Sequence, residues 1–230
     1  GRIPAQKLGP AERFVPSHLR VAGWIKTFAA TLSHASATAD PDVRRGNALV
    51  AEIAAQPKAA RIHLAGHSFG ARLVTSVAAT VGKPAKPAVA SMTLLQAAFS
   101  HNGFAPKGGG IAEGAFRKVV TERRVTGPLL VSHTARDWAV GLAYPLASRG
   151  AGQEANAIGD ANDRYGGLGR NGPVRTPEST AQVVGKVGTA YGFKPGSLVG
   201  LDANKLIQGH GDIVHPETAY LLLCAVAVAG

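Results

Sequence analysis

The run RIHLAGHSFGARLV, residues 61–74, constrains this chain more than any other part of it. Arg61, Ile62, His63 and Leu64 have the character of a β-strand, while Ala71, Arg72 and Leu73 begin a helix-forming segment. Between them stand Gly66, His67, Ser68, Phe69 and Gly70, the pattern GxSxG in a strand-turn-helix setting. A residue at the apex of so tight a turn has strained backbone angles, and the positions two before and two after it must have almost no side chain. Gly66 and Gly70 meet that demand. The turn lifts the Ser68 hydroxyl clear of the sheet, and the following helix aims backbone N–H groups and its positive dipole end at the same spot. Ser68 is therefore a candidate nucleophile, and the backbone of Phe69 a candidate oxyanion donor.

The rest of the chain alternates strand and helix signals around this turn. Val21, Ile25, Phe28 and Leu32, widened by Trp24, recur at helical spacing from Ser17 onward. Asp40 reads as an N-cap with Pro41 at the first helical position, and Leu49, Val50 and Ile53 give the helix a buried face up to Pro57. Past the turn, Leu73, Val74, Val77 and Ala78 mark the core side of a helix over 71–81. Short apolar strands are expected at 91–97, 129–134 and 197–201, with helical pieces near 113–117 and 180–191 and a final helix from Pro216. Such alternation predicts an α/β fold with a mostly parallel sheet flanked by helices.

With 230 residues and 45% hydrophobic content, one core and one domain are expected over 1–230. An extended arm over 1–16 precedes it, and a long glycine-rich loop over 150–177 interrupts it. That loop contains Gly167-x-Gly169-x-x-Gly172, formally a dinucleotide fingerprint, but no strand precedes it and Pro173 stands where a helix should begin. Asp160, Asn162 and Asp163 lack the other positions of a calcium loop and read as turns. No cofactor is expected, and no metal, since HExxH and comparable ligand spacings are absent.

The net charge of +11 raises the question of an anionic partner. Yet Arg44-Arg45, Arg117-Lys118 and Arg123-Arg124 are scattered pairs without interleaved aromatics, so no specific nucleic-acid recognition is expected. Cys224 is the single cysteine and lies in an apolar run, which argues for an inert core position. The apolar run 219–229 is too short to span a bilayer and reads as a buried terminal helix. No signal peptide is visible, and the compartment, cytoplasmic or exported, stays open.

A serine hydroxyl needs a base to take its proton and an acid to orient that base. In a parallel sheet such groups gather beyond the carboxyl ends of the strands. Asp137, just past the strand at 129–134, is the candidate acid, ahead of Asp160, Asp163, Asp202 and Asp212. His210, between Gly209 and Gly211 after the last strand, is the favoured base. His215, directly before Pro216, is the alternative and reads more readily as a helix-capping residue. His63, His67, His101 and His133 have structural readings, and His18 and His34 lie near helix ends. Phe99, Phe104, Trp138 and Tyr144 are candidates for an acyl pocket or for ordinary core.

The elbow at 66–70, the strand end Thr134-Ala135-Arg136-Asp137 and the loop at 209–216 together resemble an α/β-hydrolase-fold serine hydrolase over roughly residues 40–230. GHSFGARLV, LLQAAFSHNGF, DWAVGLAYPLAS and GHGDIVHPE are similar to a bacterial esterase- or lipase-like group. The resemblance implies Ser68 as nucleophile, Asp137 as orienting acid, a late histidine as base and a small-molecule carboxylic ester as substrate. It departs from the fold in front of Ala60, where neither the early strands nor the loop donating the second oxyanion N–H is recognisable. Those strands are expected to be missing or abbreviated. A catalytically silent module that binds a partner or an anionic surface is the alternative expectation.

Overall fold

The computed structural model describes residues 41–55, 61–81, 89–140 and 166–229. The expected arm, the helix from Ser17, the cap at Asp40, the closure at Pro57, Tyr144, the acidic turns at 160–163 and the front of the sheet lie outside those residues.

In chain order the elements are α1 (Pro41–Ala54), β1 (Ile62–His67), α2 (Phe69–Thr80), β2 (Val89–Leu95), α3 (Arg117–Thr121), β3 (Leu129–His133), α4 (Leu168–Asn171), β4 (Ser179–Val183), β5 (Leu198–Asp202) and α5 (Pro216–Ala229). Among the described residues five strands form one sheet in the order β1-β2-β3-β5-β4, and every pairing between them is parallel. This is an α/β protein with helices flanking an all-parallel sheet. A parallel sheet covered on both faces needs strands that are apolar throughout. β2, VASMTLL, meets that requirement with all seven residues buried. Alternation then sorts the neighbours: Leu129, Val131 and Leu198 join α1 and α2 in one core, while Leu130, Val199 and Leu201 meet Leu221 and Ala225 of α5 in another.

Three sequence expectations are corrected. Residues 180–191 hold no helix: they supply most of β4 and a loop. The β-branched Thr180 and Val183 suit an edge strand, and Gly188 and Gly192, at φ 92° and 61°, are incompatible with helix continuation. The helix expected near 113–117 begins only at Arg117. Gly114 is pressed onto the turn at 102–105, where an added Cβ would lie 2.3 Å from the Asn102 carbonyl oxygen, and its N–H bonds Ala105 O at 2.9 Å. The terminal helix buries one side only, through Thr218, Leu221 and Ala225, and leaves Leu223 half exposed and Cys224 partly so.

The glycine-rich segment is structured in its second half. α4 lies beneath the carboxyl edge of the sheet, and the Gly169 carbonyl accepts from Gln96 Nε2 at 2.9 Å and from the Thr134 N–H at 3.0 Å. A Cβ on Gly169 would come within 2.4 Å of the Gln96 backbone. These glycines thus serve a close approach of chain to chain. Register levels the strand ends, since His67 faces Leu95, Leu95 faces Ser132 and His133 faces Asp202. The loops after β1, β2, β3 and β5 consequently open on one edge.

Candidate active site

Ser68 joins β1 to α2 with φ 58° and ψ −127°, a conformation that costs a non-glycine residue about 1–3 kcal/mol. Backbone bonds hold it there: Ser68 N–H donates to Leu95 O, and Ser68 O accepts from the N–H groups of Ala71 and Ala98, each at 3.1 Å. Gly66 is sterically required, because a Cβ there would sit 2.4 Å from Gly70 O. The elbow is thus a turn against β2 that requires glycine at position 66.

Asp137 follows β3 in a turn closed by its N–H bonding Thr134 O at 3.0 Å. Its side chain is fully buried, with Oδ1 accepting the Val140 N–H at 2.9 Å. A buried carboxylate requires such partners. The second oxygen, Oδ2, lies 2.9 Å from His210 Nδ1, and His210 Nε2 lies 2.8 Å from Ser68 Oγ. A carboxylate only accepts, so with Asp137 ionised Nδ1 carries the proton. Nε2 of the neutral ring is then the acceptor, and Ser68 O–H donates to it. This series can take a proton from the serine while holding the imidazole in the required tautomer.

The structure therefore brings Ser68, His210 and Asp137 together. His215 is elsewhere: its Nε2 meets Asp212 Oδ1 at 2.9 Å and Asp212 O at 3.1 Å, and its own carbonyl accepts the Ala219 N–H at the start of α5. Asp212 also accepts the Gln208 N–H at 2.8 Å, and this bond, followed by the nearby His215, holds its carboxyl below the usual range. Asp202 accepts from the Asn204 N–H and side-chain amide. Gly209 and Gly211 border His210 in open space, with no atom within 4 Å of an added Cβ, so neither glycine is demanded by crowding. Phe69 opens α2 with its ring exposed.

Sequence reasoning missed what joins the loop carrying Asp137 to the loop carrying His210. Asn204 Oδ1 accepts the Ala135 N–H at 2.8 Å and the Thr134 hydroxyl lies 3.1 Å from it, while Arg136 Nη1 reaches Asn204 O and Gln208 Oε1. A single asparagine in a polar loop gives no pattern that would have marked it. His67, read as the variable position of the motif, touches His210 directly: Nε2 is 2.7 Å from the His210 carbonyl oxygen. Of the aromatic pocket candidates, Phe99 and Phe104 are core residues packed edge to face at 5.8 Å. Trp138 alone of the described ones is exposed, with the Arg170 guanidinium 5.0 Å from its ring centre.

His101 is buried and pairs its Nδ1 with the Asn171 amide at 3.0 Å. His133 sits on Gly172, and burial lowers its pKa, with Asp202 opposing the shift. His63 lies 2.8 Å from the Ser91 hydroxyl, its pKa lowered by burial and then by Arg61. Among the described residues no group of three or more His, Cys, Asp or Glu side chains could hold a metal ion, and no helix is long and apolar enough to cross a membrane.

No known family, curated protein or solved structure gave a match when compared with this chain. The functional reading consequently rests on the residues themselves.

Proposed function

We propose that this chain is a serine hydrolase of the α/β-hydrolase type that cleaves a carboxylic ester through an acyl-enzyme on Ser68. The observation that carries the reading is the pair of contacts at His210, 2.8 Å to Ser68 Oγ and 2.9 Å to Asp137 Oδ2. Supporting it are the strained elbow, the chain order Ser, Asp, His, and the shared strand-end edge. Ser68 attacks the acyl carbon as His210 takes its proton, and Asp137 stabilises the resulting imidazolium. His210 then protonates the leaving alcohol, and water, deprotonated by the same residue, releases the acid. The Phe69 N–H at the start of α2 is the proposed first oxyanion donor. Amide hydrolysis and acyl transfer use the same steps.

Reaction with a fluorophosphonate probe, read by intact mass, tests the proposal. The parent protein is expected to gain one adduct and Ser68→Ala none. An unlabelled parent, or equal labelling of the variant, overturns it. The alternative, a catalytically silent module that binds a partner or an anionic surface, draws on the charge of +11 and on the lack of a recognisable second oxyanion loop in the sequence, and esterase turnover counts against it.

A further inference from the structure

His67 lies one residue before the elbow apex and 143 residues before the base it touches. Strand alternation explains its direction. Along β1, Ile62, Leu64 and Gly66 point into the core shared with α2, which leaves His63, Ala65 and His67 on the opposite face. At the strand end this side meets the loop carrying His210. The Nε2 atom of His67 is 2.7 Å from the His210 carbonyl oxygen, and the two imidazole rings are 4.8 Å apart at an angle of 39°. One side chain therefore contacts both the main chain and the ring of the base.

The loop around His210 needs such a restraint. Its internal bonds are Asp212 N–H to Gly209 O at 3.2 Å, Ile213 N–H to Gly211 O at 3.0 Å, and the Asp212 contacts to Gln208 and His215. They shape the turn, and the Thr134 hydroxyl on Ile207 O and Arg136 on Gln208 tie its approach to the end of β3, but none of these bonds reaches the His210 main chain. Gly209 and Gly211, with nothing packed at their Cβ positions, add no steric restraint. A carbonyl oxygen is an acceptor only, so His67 must carry its proton on Nε2. Because His67 and Ser68 are consecutive residues of one strained turn, the bond fixes the base to the same rigid unit that carries the nucleophile.

We propose that His67 is a positioning residue, whose Nε2–H to the His210 carbonyl sets the distance at which the base meets Ser68. The proposal rests on the hydrolase reading of Ser68, His210 and Asp137. A misplacement of about 1 Å at such a contact costs on the order of 100-fold in rate. A residue acting through geometry of the base changes kcat and leaves KM almost unchanged.

His67→Ala and His67→Gln in the full chain test this, the glutamine being chosen because its amide can donate from nearly the same place. With a p-nitrophenyl ester, His67→Ala is expected to lose about 10- to 100-fold in kcat at a KM within about twofold, and His67→Gln to recover most of the loss. Proton NMR of the His210 Nδ1–H resonance, assigned by its absence in His210→Ala, gives a readout independent of turnover. It is expected to shift or broaden in His67→Ala and to return in His67→Gln, with thermal melting confirming that both variants fold. A parent that neither turns over nor labels overturns the hydrolase reading. An unchanged resonance in His67→Ala, or alanine and glutamine variants that behave alike, overturns the positioning role whatever the activity.

Discussion

Asp137 and His215 make opposite predictions from one geometric difference, since Asp137 contacts His210 whereas His215 is committed to Asp212. Asp137→Asn keeps the shape of the buried acid but offers an amide where the imidazole needs an acceptor for its Nδ1–H. With Val140 N–H also requiring an oxygen, only one of the two donors is satisfied unstrained. The expected result is a protein of nearly unchanged fold with kcat reduced about 10³- to 10⁴-fold, measured by ester hydrolysis and circular dichroism. His215→Ala removes a side chain committed to Asp212 and is expected to keep kcat within about threefold, which separates it from His210→Ala. At this scale the sequence was most informative for Ser68, because GxSxG encodes a steric demand that any reader can recompute. Asp137 and His210 followed from strand ends and chain order. His67 and Asn204 were not legible, since their roles are hydrogen bonds to main-chain groups more than 60 residues away, which leave no local pattern.

Gly66, ahead of the candidate nucleophile, and Gly209, ahead of the candidate base, look alike in sequence and differ in structure. Gly66 has no room for a methyl group: its Cβ would overlap Gly70 O at 2.4 Å and Ala71 N at 2.6 Å, both backbone atoms that cannot move without opening α2. Gly209 has nothing within 4 Å. Gly66→Ala is expected to destabilise the protein by roughly 2–4 kcal/mol in urea titrations and to abolish probe labelling. Gly209→Ala is expected to change stability by less than about 0.5 kcal/mol. The same distinction between local and tertiary causes decides which elements could be foreseen. β2, β3 and β5 were visible as short apolar runs, and α2 as a helical stripe. β4 was not, because an edge strand with three exposed positions, STAQV, has no apolar signal of its own and is defined by pairing with β5. α4 likewise exists because Gly169 fits against the loop after β2, a tertiary contact hidden in a segment that otherwise reads as loop.

For the whole molecule, acid lability should come in two steps with different owners. His63 and His133 both have folded pKa values lowered from 6.5, chiefly by burial. The unfolded chain therefore takes up protons at these sites before the folded protein does, and stability present above about pH 6.5 falls as pH drops through the folded values. Glu178, lowered from 4.5 chiefly by its hydrogen bond with Arg117, and Asp212, lowered from 3.8 by the Gln208 N–H, act in a separate and lower window. Their stabilisation holds above the ordinary carboxylate range and is lost as pH falls below it. Glu178 ties the approach to β4 to Arg117 of α3 with a contact of 2.7 Å, on a partly exposed surface where such pairs contribute about 1 kcal/mol or less. The melting temperature is accordingly expected to decline between pH 7 and 5, above the window in which Glu178 and Asp212 lose their stabilisation, and to decline again below about pH 4.5. His133→Phe keeps a ring against Gly172 while removing the titration. It is expected to flatten the upper step and leave the lower one in place, as read by thermal melting across pH. A melting curve for His133→Phe parallel to the parent's from pH 7 to 5 would assign the upper step to His63 or to repulsion among the growing excess of positive charge, which high salt would then relieve.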